Sequence, residues 1–408
     1  MESTRRVVVT GLGVVSAVGN SVPTFWDSLK GGRDGIRPIT LFDTSSFRTY
    51  NGGEVIDLPA DAYFSPKEKR RLSRCDQFGI IAAEEAMGTS GLNLGEVDRD
   101  RFGIILGAGS GGILSVERYF KALYGGHERR PSPLLLISFS LATTTDYIAS
   151  RFDLRGPRTT TATVCSSSSA AIAFAYESIL EGWADIMVSG GSDSLCEVSY
   201  TGFNSLRLVD PEHCKPFDKR REGLSLGEGA GIVILEEMNY ALSRGAEIVG
   251  EMLGYGICAD AYHLTSPEPH GEGIARAIAA ALRNAAVDTS EVGYINAHGT
   301  GTIFNDVAET EGIKRVFGKG AYSIPISSVK SMVGHCLGSA GAIEAISTLL
   351  TIREGIIPPT IHYRVPDPLC DLNYTPNEAV RRDVDVAINN SFAFGGNNVC
   401  LVFGKWEK

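Results

Sequence analysis

The chain has 408 residues, 43% of them hydrophobic, with a formal net charge of −10 and a sequence pI near 5.3. That length buries a large core in two or three units or one duplicated unit, and the acidic balance argues against an overall draw toward nucleic acid or anionic membranes. No apolar run approaches the roughly 18–20 residues of a membrane span, and Met1 to Arg6 lacks the apolar stretch of a signal peptide, so a soluble cytoplasmic enzyme is expected.

The first predicted strand, Arg6 to Thr10, runs into Gly11-Leu12-Gly13, the β-rich run closed by glycine that marks layered α/β folds. Gly103 to Gly111 reads as a buried strand followed by a Gly-rich loop. Thr159 to Val164 is β-prone and ends at Cys165, after which Ser166 to Leu180 is a helix of almost wholly apolar or small residues, stopped by Gly182. Ile248 to Leu253 echoes the first strand, and Gly293 to Gly301 echoes Gly103 to Gly111 at an offset of 190 residues. Ile324 to Val329 is a further strand, and Gly334-His335 opens a second all-apolar helix toward Ile352. Val384 to Ile388 and Val399 to Phe403 are strands joined by a loop over 389–398. The chain therefore divides into halves at 1–250 and 251–408. A helix that is apolar all round is buried on all sides, so the two such helices form a central layer between sheets and predict five layers. The eight cysteines form no CxxC pair and no zinc spacing, so no metal site is expected.

Cys165 stands where helix-start amides and the positive end of the dipole stabilise a thiolate, and where a backbone N–H can serve an oxyanion. His298 lies in Asn296-Ala297-His298-Gly299-Thr300-Gly301-Thr302, directly after a buried strand. His335 follows Lys330-Ser331-Met332-Val333-Gly334, and the nearby cation favours its neutral form as an N–H donor. Taken singly, these are equally a buried thiol, a loop histidine and a core histidine. Together, each at a strand boundary, they form a nucleophile with two donors. In the loop over 389–398, Gly395 and Gly396 permit hinge motion, Phe394 can cover an acyl pocket, and its N–H offers a second oxyanion donor; a β-hairpin with a core aromatic is the alternative.

The Cys165 elbow, Asn-Ala-His298-Gly-Thr-Gly-Thr, Lys330-Ser-x-x-Gly-His335 and Phe-x-Phe394-Gly-Gly together resemble the elongating β-ketoacyl-acyl-carrier-protein synthases. The likeness spans nearly the whole chain, including Val8 to Gly13, Pro216-Phe217-Asp218, Gly227 to Gly231 and Asp260 to His263. It implies the thiolase fold, a duplicated αβαβα sandwich acting as a homodimer. It further implies that Cys165 accepts an acyl group from the phosphopantetheine arm of an acyl carrier protein, its carbonyl oxygen facing the N–H groups of Cys165 and Phe394. His298 and His335 would then promote decarboxylation of malonyl carrier protein. Lys330 and Glu309 carry over as a charge pair, Thr300 and Thr302 as partners of the pantetheine arm. No organic cofactor or catalytic metal is implied. An acidic carrier needs a local basic surface, for which Lys67, Arg70, Arg71 and Arg74, spaced i, i+3, i+4, i+7, with Lys69 beside them, offer one helical face. Lys215, Lys219, Arg220 and Arg221 offer a second cluster.

The chain departs from the family pattern at Ser166 to Ser169, where Ala-Thr or Ala-Ser is common, and at Val164, where Ala is common. The serines read as caps for free helix N–H groups. Ala393 and Asn397 replace a glycine and a threonine of the gating loop, and the added Cβ at Ala393 is expected to restrict the hinge and alter acyl-chain choice, as in a polyene or polyketide pathway. A chain-length-factor-like partner subunit would lack Cys165. The same fold also serves thiolase-like enzymes that act on coenzyme A esters, and the two histidines alone would suffice for a malonyl decarboxylase without condensation.

Overall fold

Strands buried along their whole length build a ten-stranded sheet whose two faces both pack against helices. In the computed structural model, residues 5–125 and 132–407 are described; Met1 to Thr4, part of the reading of the N-terminus, lie outside them. The ten strands are β1 (Val7–Val15), β2 (Phe102–Gly107), β3 (Arg158–Thr161), β4 (Ile186–Asp193), β5 (Gly229–Glu237), β6 (Gly250–Ala259), β7 (Val292–Asn296), β8 (Ile326–Ser327), β9 (Val386–Ala393) and β10 (Asn397–Gly404). Their order across the sheet is β8-β7-β9-β10-β6-β1-β5-β4-β2-β3. Outward from the middle, the first five strands run β1-β5-β4-β2-β3 and the last five β6-β10-β9-β7-β8. Both series make two antiparallel pairings and then two parallel ones, so one half repeats the other. The 190-residue echo in the sequence superimposes β2 on β7.

The halves join where Val7, Val8 and Val9 of β1 pair with Met252, Glu251 and Gly250 of β6. The sheet folds back there around two buried helices, α3 (Ser167–Leu180) and α6 (Ala340–Glu354), which contact strands of both halves and each other. Helices α1 (Arg74–Ser90) and α2 (Thr143–Phe152) cover the outer face of the first half, α4 (Glu272–Ala285) and α5 (Ile303–Phe317) that of the second. This gives the expected five layers, the two β layers being continuous through β1 and β6. Ile105, Met187 and Val233 point into the central cluster with α3 and α6. Their neighbours Ile104, Val188 and Ile234 face α1, and Ile295, Ile388 and Val402 face α4 and α5. Each such aliphatic side chain contributes about 1.5–3 kcal/mol when fully buried.

Several elements differ from expectation. The strand before Cys165 ends at Thr161, and a 3-10 turn over Val164–Ser166 precedes α3. The matching turn in the second half is Leu337–Ser339, and the helix expected from Gly334 begins only at Ala340. Val164 and Leu337 have φ of +55° and +52°, a left-handed conformation that neither strand nor helix continues through. The structural counterpart of Cys165 is therefore Gly338, and His335 stands three residues ahead of it. The strand expected over 324–329 shrinks to β8. Likewise β9 and β10 extend to Ala393 and from Asn397, reducing the ten-residue loop to the turn Phe394–Gly396.

The basic face also divides. Pro66–Lys69 is a one-turn helix, and Ser73 and Asp76 form a reciprocal capping box that starts α1 afresh at Arg74. Lys67, Arg70, Arg71 and Arg74 therefore do not share one helical face.

Candidate active site

Cys165, 4% exposed, is the middle residue of the 3-10 turn that enters α3. The turn is pressed onto the end of β2: a Cβ at Gly107 would lie 2.2 Å from the backbone N of Ser168, so only glycine fits. The four serines do not cap their own helix, as the sequence suggested, because α3 has no side-chain N-cap bond. Ser166 Oγ instead donates to the Thr163 carbonyl at 2.9 Å, and Ser167 Oγ to that of Val164 at 2.7 Å. Ser168 Oγ accepts the Ala342 N–H at 2.9 Å in the first turn of α6, and the hydroxyls of Ser169 and Ser391 meet at 2.8 Å. Ser168 and Ser169 thus stitch the nucleophile's helix to the other half of the molecule, while Ser166 and Ser167 brace the turn itself.

His298, at the end of β7, and His335, after the Lys330–Val333 turn, come together with ring centroids 5.4 Å apart and planes at 87°. Both are buried and line one pocket with Cys165. The Leu337 N–H donates to His335 Nδ1 at 3.2 Å. The Lys330 ammonium lies 3.2 Å from His298 Nδ1 and donates to the His298 carbonyl at 2.6 Å. With both Nδ1 atoms accepting, the hydrogen-bond network assigns the proton of each ring to Nε2. Burial drives both imidazole pKa values well below the usual range; Lys330 reinforces this at both rings, and His335 at His298. Both rings are neutral N–H donors, although the cation at 330 predicts this from sequence for His335 alone.

The expected Lys330–Glu309 contact is not formed. The Lys330 ammonium pairs instead with Glu344 of α6, both side chains 1% exposed, while Glu309 of α5 accepts the N–H groups of His298 and Gly299 at 2.8 and 2.7 Å. Two backbone donors occupy the carboxylate that the resemblance assigned to lysine. Burial raises Glu344 to about 7 against the pull of Lys330, and Glu309 to about 7 against its two N–H donors.

Nor does the helix start depress the cysteine, as expected from sequence. Burial pushes the Cys165 thiol up to about 11, although Lys330 and the backbone N–H groups of Phe394 and Cys165 act in the opposite direction. Cys165 stands at the junction of two cavities, one bounded by Thr300, Thr302 and Phe304, the other, about 210 Å³, by Ser110, Val164 and Leu337. Phe203 borders both and stacks on Phe394, with centroids 5.6 Å apart. The Phe394–Gly396 turn is tied down by Gly395 N–H to Leu264 O at 2.8 Å and Asp260 N–H to Gly396 O at 2.9 Å. Asn398 Nδ2 adds a bond to Asp260 Oδ1 at 2.6 Å. Gly395 and Gly396 have φ of +78° and +72°, whereas Ala393 is extended at −115°. The Cβ at Ala393 therefore imposes no backbone strain in this conformation of the turn. Thr300 and Thr302 share a hydroxyl contact of 2.9 Å on the first cavity.

The basic residues split by environment. Lys67, Arg70 and Arg71 are exposed, Lys69 pairs with Asp61, and Arg74 is bonded to the fully buried Glu228. Of the second cluster, Lys215 pairs with Asp210 and Arg221 is buried against Asp367, leaving Lys219 and Arg220 at the surface, the latter beside Asp218. Sequence reasoning missed Glu344, Phe203 and Asp193. Burial raises Asp193 to about 6 against four N–H donors, from Gly109, Ser110, Gly111 and Gly338, which bind the Gly-rich loop after β2 and the Leu337–Ser339 turn to one carboxylate. A buried Asp at the end of a Gly-Gly-Ser strand was the available signal.

Known proteins resemble this chain in sequence and in fold. Residues 4–241 match the β-ketoacyl synthase N-terminal domain and residues 249–364 its C-terminal domain. The 3-oxoacyl-[acyl-carrier-protein] synthase 2 of Synechocystis sp. is 43% identical over 99% of this chain and 99% of its own. The ishigamide ketosynthase/chain length factor structure is 37% identical, covers 99% of this chain and 100% of its own, and has a TM-score of 0.94. AntDE:AntF, a type II PKS acyl-carrier protein in complex with its ketosynthase, is 33% identical with a TM-score of 0.91, covering 99% of this chain and 100% of its own.

Proposed function

The chain belongs to the β-ketoacyl synthase family, and we propose that it condenses a Cys165-bound acyl group with malonyl carrier protein, releasing a 3-oxoacyl carrier protein, CO2 and free carrier. The observation that carries the assignment of roles is the pairing of a buried thiol with two neutral imidazoles whose Nδ1 atoms are both occupied. The thiol attacks the carrier thioester, and the departing pantetheine thiol takes the proton. Malonyl carrier then enters past Thr300 and Thr302. The Nε2–H groups of His298 and His335 stabilise the enolate formed on loss of CO2, which attacks the Cys165 thioester carbonyl. The N–H groups of Cys165 and Phe394 hold the oxyanion until the sulfur leaves. Lys330, held by Glu344, keeps the imidazoles neutral, and Glu309 fixes the His298 backbone. Phe394, with Phe203, gates the acyl cavity. The donors arrive on carrier proteins, so the reaction calls on no free organic cofactor.

Carrier docking is assigned to Lys67, Arg70 and Arg71, with Lys69 and Arg220 at the margins; Arg74 belongs to the interior. The exposed apolar side chains Phe120, Tyr124, Ile137 and Phe139, and the open edge of β3, support a homodimer. A related subunit in place of one protomer is the alternative that the ishigamide relative suggests. Among the described residues no helix is long and apolar enough to cross a membrane, which agrees with a cytoplasmic location, and the division near residue 250 follows the strand repeat. Ala393 and Asn397 bear on acyl-chain choice, in fatty-acid or polyene/polyketide elongation. Incubation with a panel of acyl carriers plus malonyl carrier, read by mass spectrometry, tests the reading. Product is expected from the natural protein and none from Cys165→Ala; unchanged product from that variant would refute it.

A further inference from the structure

Three loops that hold the Lys330 turn carry a second set of ligating side chains outside the Cys165 pocket. Asp34 Oδ2 lies 2.8 Å from His213 Nδ1 and 3.1 Å from His362 Nε2, and the three ligand atoms all fall within 4.8 Å of one another. His362 is hydrogen-bonded to Asp34, but His213 Nδ1, a buried atom, has no aligned hydrogen-bond partner despite its approach. A ring nitrogen so close to a carboxylate oxygen without alignment is the arrangement of two ligands converging on a common third atom. His213 and His362 line a cavity of about 220 Å³ together with Glu212, Lys215, Arg220 and Arg364. Lys215 is paired with Asp210 and lies 3.8 Å from Glu212, and Arg220 is paired with Asp218, so Arg364 is the remaining charge of the wall.

We propose that Asp34, His213 and His362 bind a divalent transition ion of borderline softness, such as Zn²⁺, through Oδ2, Nδ1 and Nε2. Two imidazoles and a carboxylate are a donor set for such ions, and bond lengths of about 2.0–2.2 Å at tetrahedral angles set ligand atoms about 3.3–3.6 Å apart, so the 2.8 Å contact opens by about 0.5–0.8 Å and the 3.1 Å contact by about 0.2–0.5 Å. The fourth position faces the cavity, open to water or Glu212. Each ligand adjoins a residue that grips the catalytic turn: Gly35 N–H binds Met332 O at 2.8 Å, Cys214 Sγ binds Lys330 O at 3.2 Å, and Ile361 N–H binds Ser331 Oγ at 3.0 Å. The ion is thus a structural clamp joining loops of both halves behind three consecutive residues, and takes no part in condensation.

Zn²⁺ titration of tag-free, chelator-stripped protein, followed by calorimetry, tests the site. One ion per chain is expected, with affinity lost at least about tenfold in His213→Gln and in His362→Gln, since even outer-shell changes cost about 10–100-fold. The ion should raise the melting temperature of the natural protein and not of these variants, whose half-exposed positions leave folding intact by circular dichroism. With Co²⁺, the visible bands should lack a thiolate charge-transfer component. Equal binding by both variants would overturn the proposal, as would a charge-transfer band abolished by Cys165→Ala, which would put the ion at the nucleophile.

Discussion

At Cys165, burial opposes every group that favours the thiolate. Because the thiol sits at about 11, its thiolate fraction rises about tenfold per pH unit through neutrality. The rate of Cys165 alkylation, followed by mass spectrometry, should therefore climb from pH 7 to 10 without a plateau; a plateau near pH 7 would mean that the thiolate is preformed. The histidines carry the opposite signature. Depressed pKa values keep them neutral on the acid side of 6.5, so lowering the pH from 7.5 to 6.5 should cause no loss of condensation attributable to imidazole protonation. His298→Ala or His335→Ala should leave acyl loading on Cys165 intact and cut condensation by about 10²-fold or more, the usual loss for a removed oxyanion donor. Loss of loading together with condensation would assign them to the first half-reaction.

Short elements, more than single residues, decide how the site opens. The Phe394–Gly396 turn is latched to the loop over 260–264, and Asp260 also accepts the Glu268 N–H at 3.1 Å. Asp260→Ala should loosen both attachments and speed amide exchange at Gly395 and Asn398 by about tenfold, the change expected for about 1.4 kcal/mol of local opening; unchanged exchange would show that the strands alone hold the turn. At the start of α1, the Arg74 guanidinium makes three contacts of 2.6–2.9 Å to Glu228. Arg74→Met leaves a buried carboxylate unpaired and should cost about 3 kcal/mol in denaturant unfolding, with carrier affinity unchanged in the folded protein. A stable variant with weakened carrier binding would restore Arg74 to the docking face.

Across the whole molecule, a net charge of −10 means that an acidic carrier must be met locally. Lys67→Glu combined with Arg70→Glu should weaken carrier binding by at least about tenfold at low salt, less at high salt as screening removes the advantage; a salt-independent loss would point to folding instead. The nucleophile, the two histidines, the strand repeat and the two central helices were all legible in the sequence, because period, glycine punctuation and motif spacing are local properties. Ser73 was legible in principle as a cap and would have divided the basic face correctly. The partner of Lys330, the role of Ser168 and Ser169 and the meeting of Phe203 with Phe394 were not, because each depends on elements from distant segments being packed face to face. Residue order alone was enough to put Cys165 at the head of a buried helix opposite two imidazoles. The electrostatics there came from the folded layers: how deeply the thiol is desolvated, and that Glu344 holds Lys330 while Glu309 holds backbone. Burial and partner choice arise when those layers close on one another, and no local pattern encodes them.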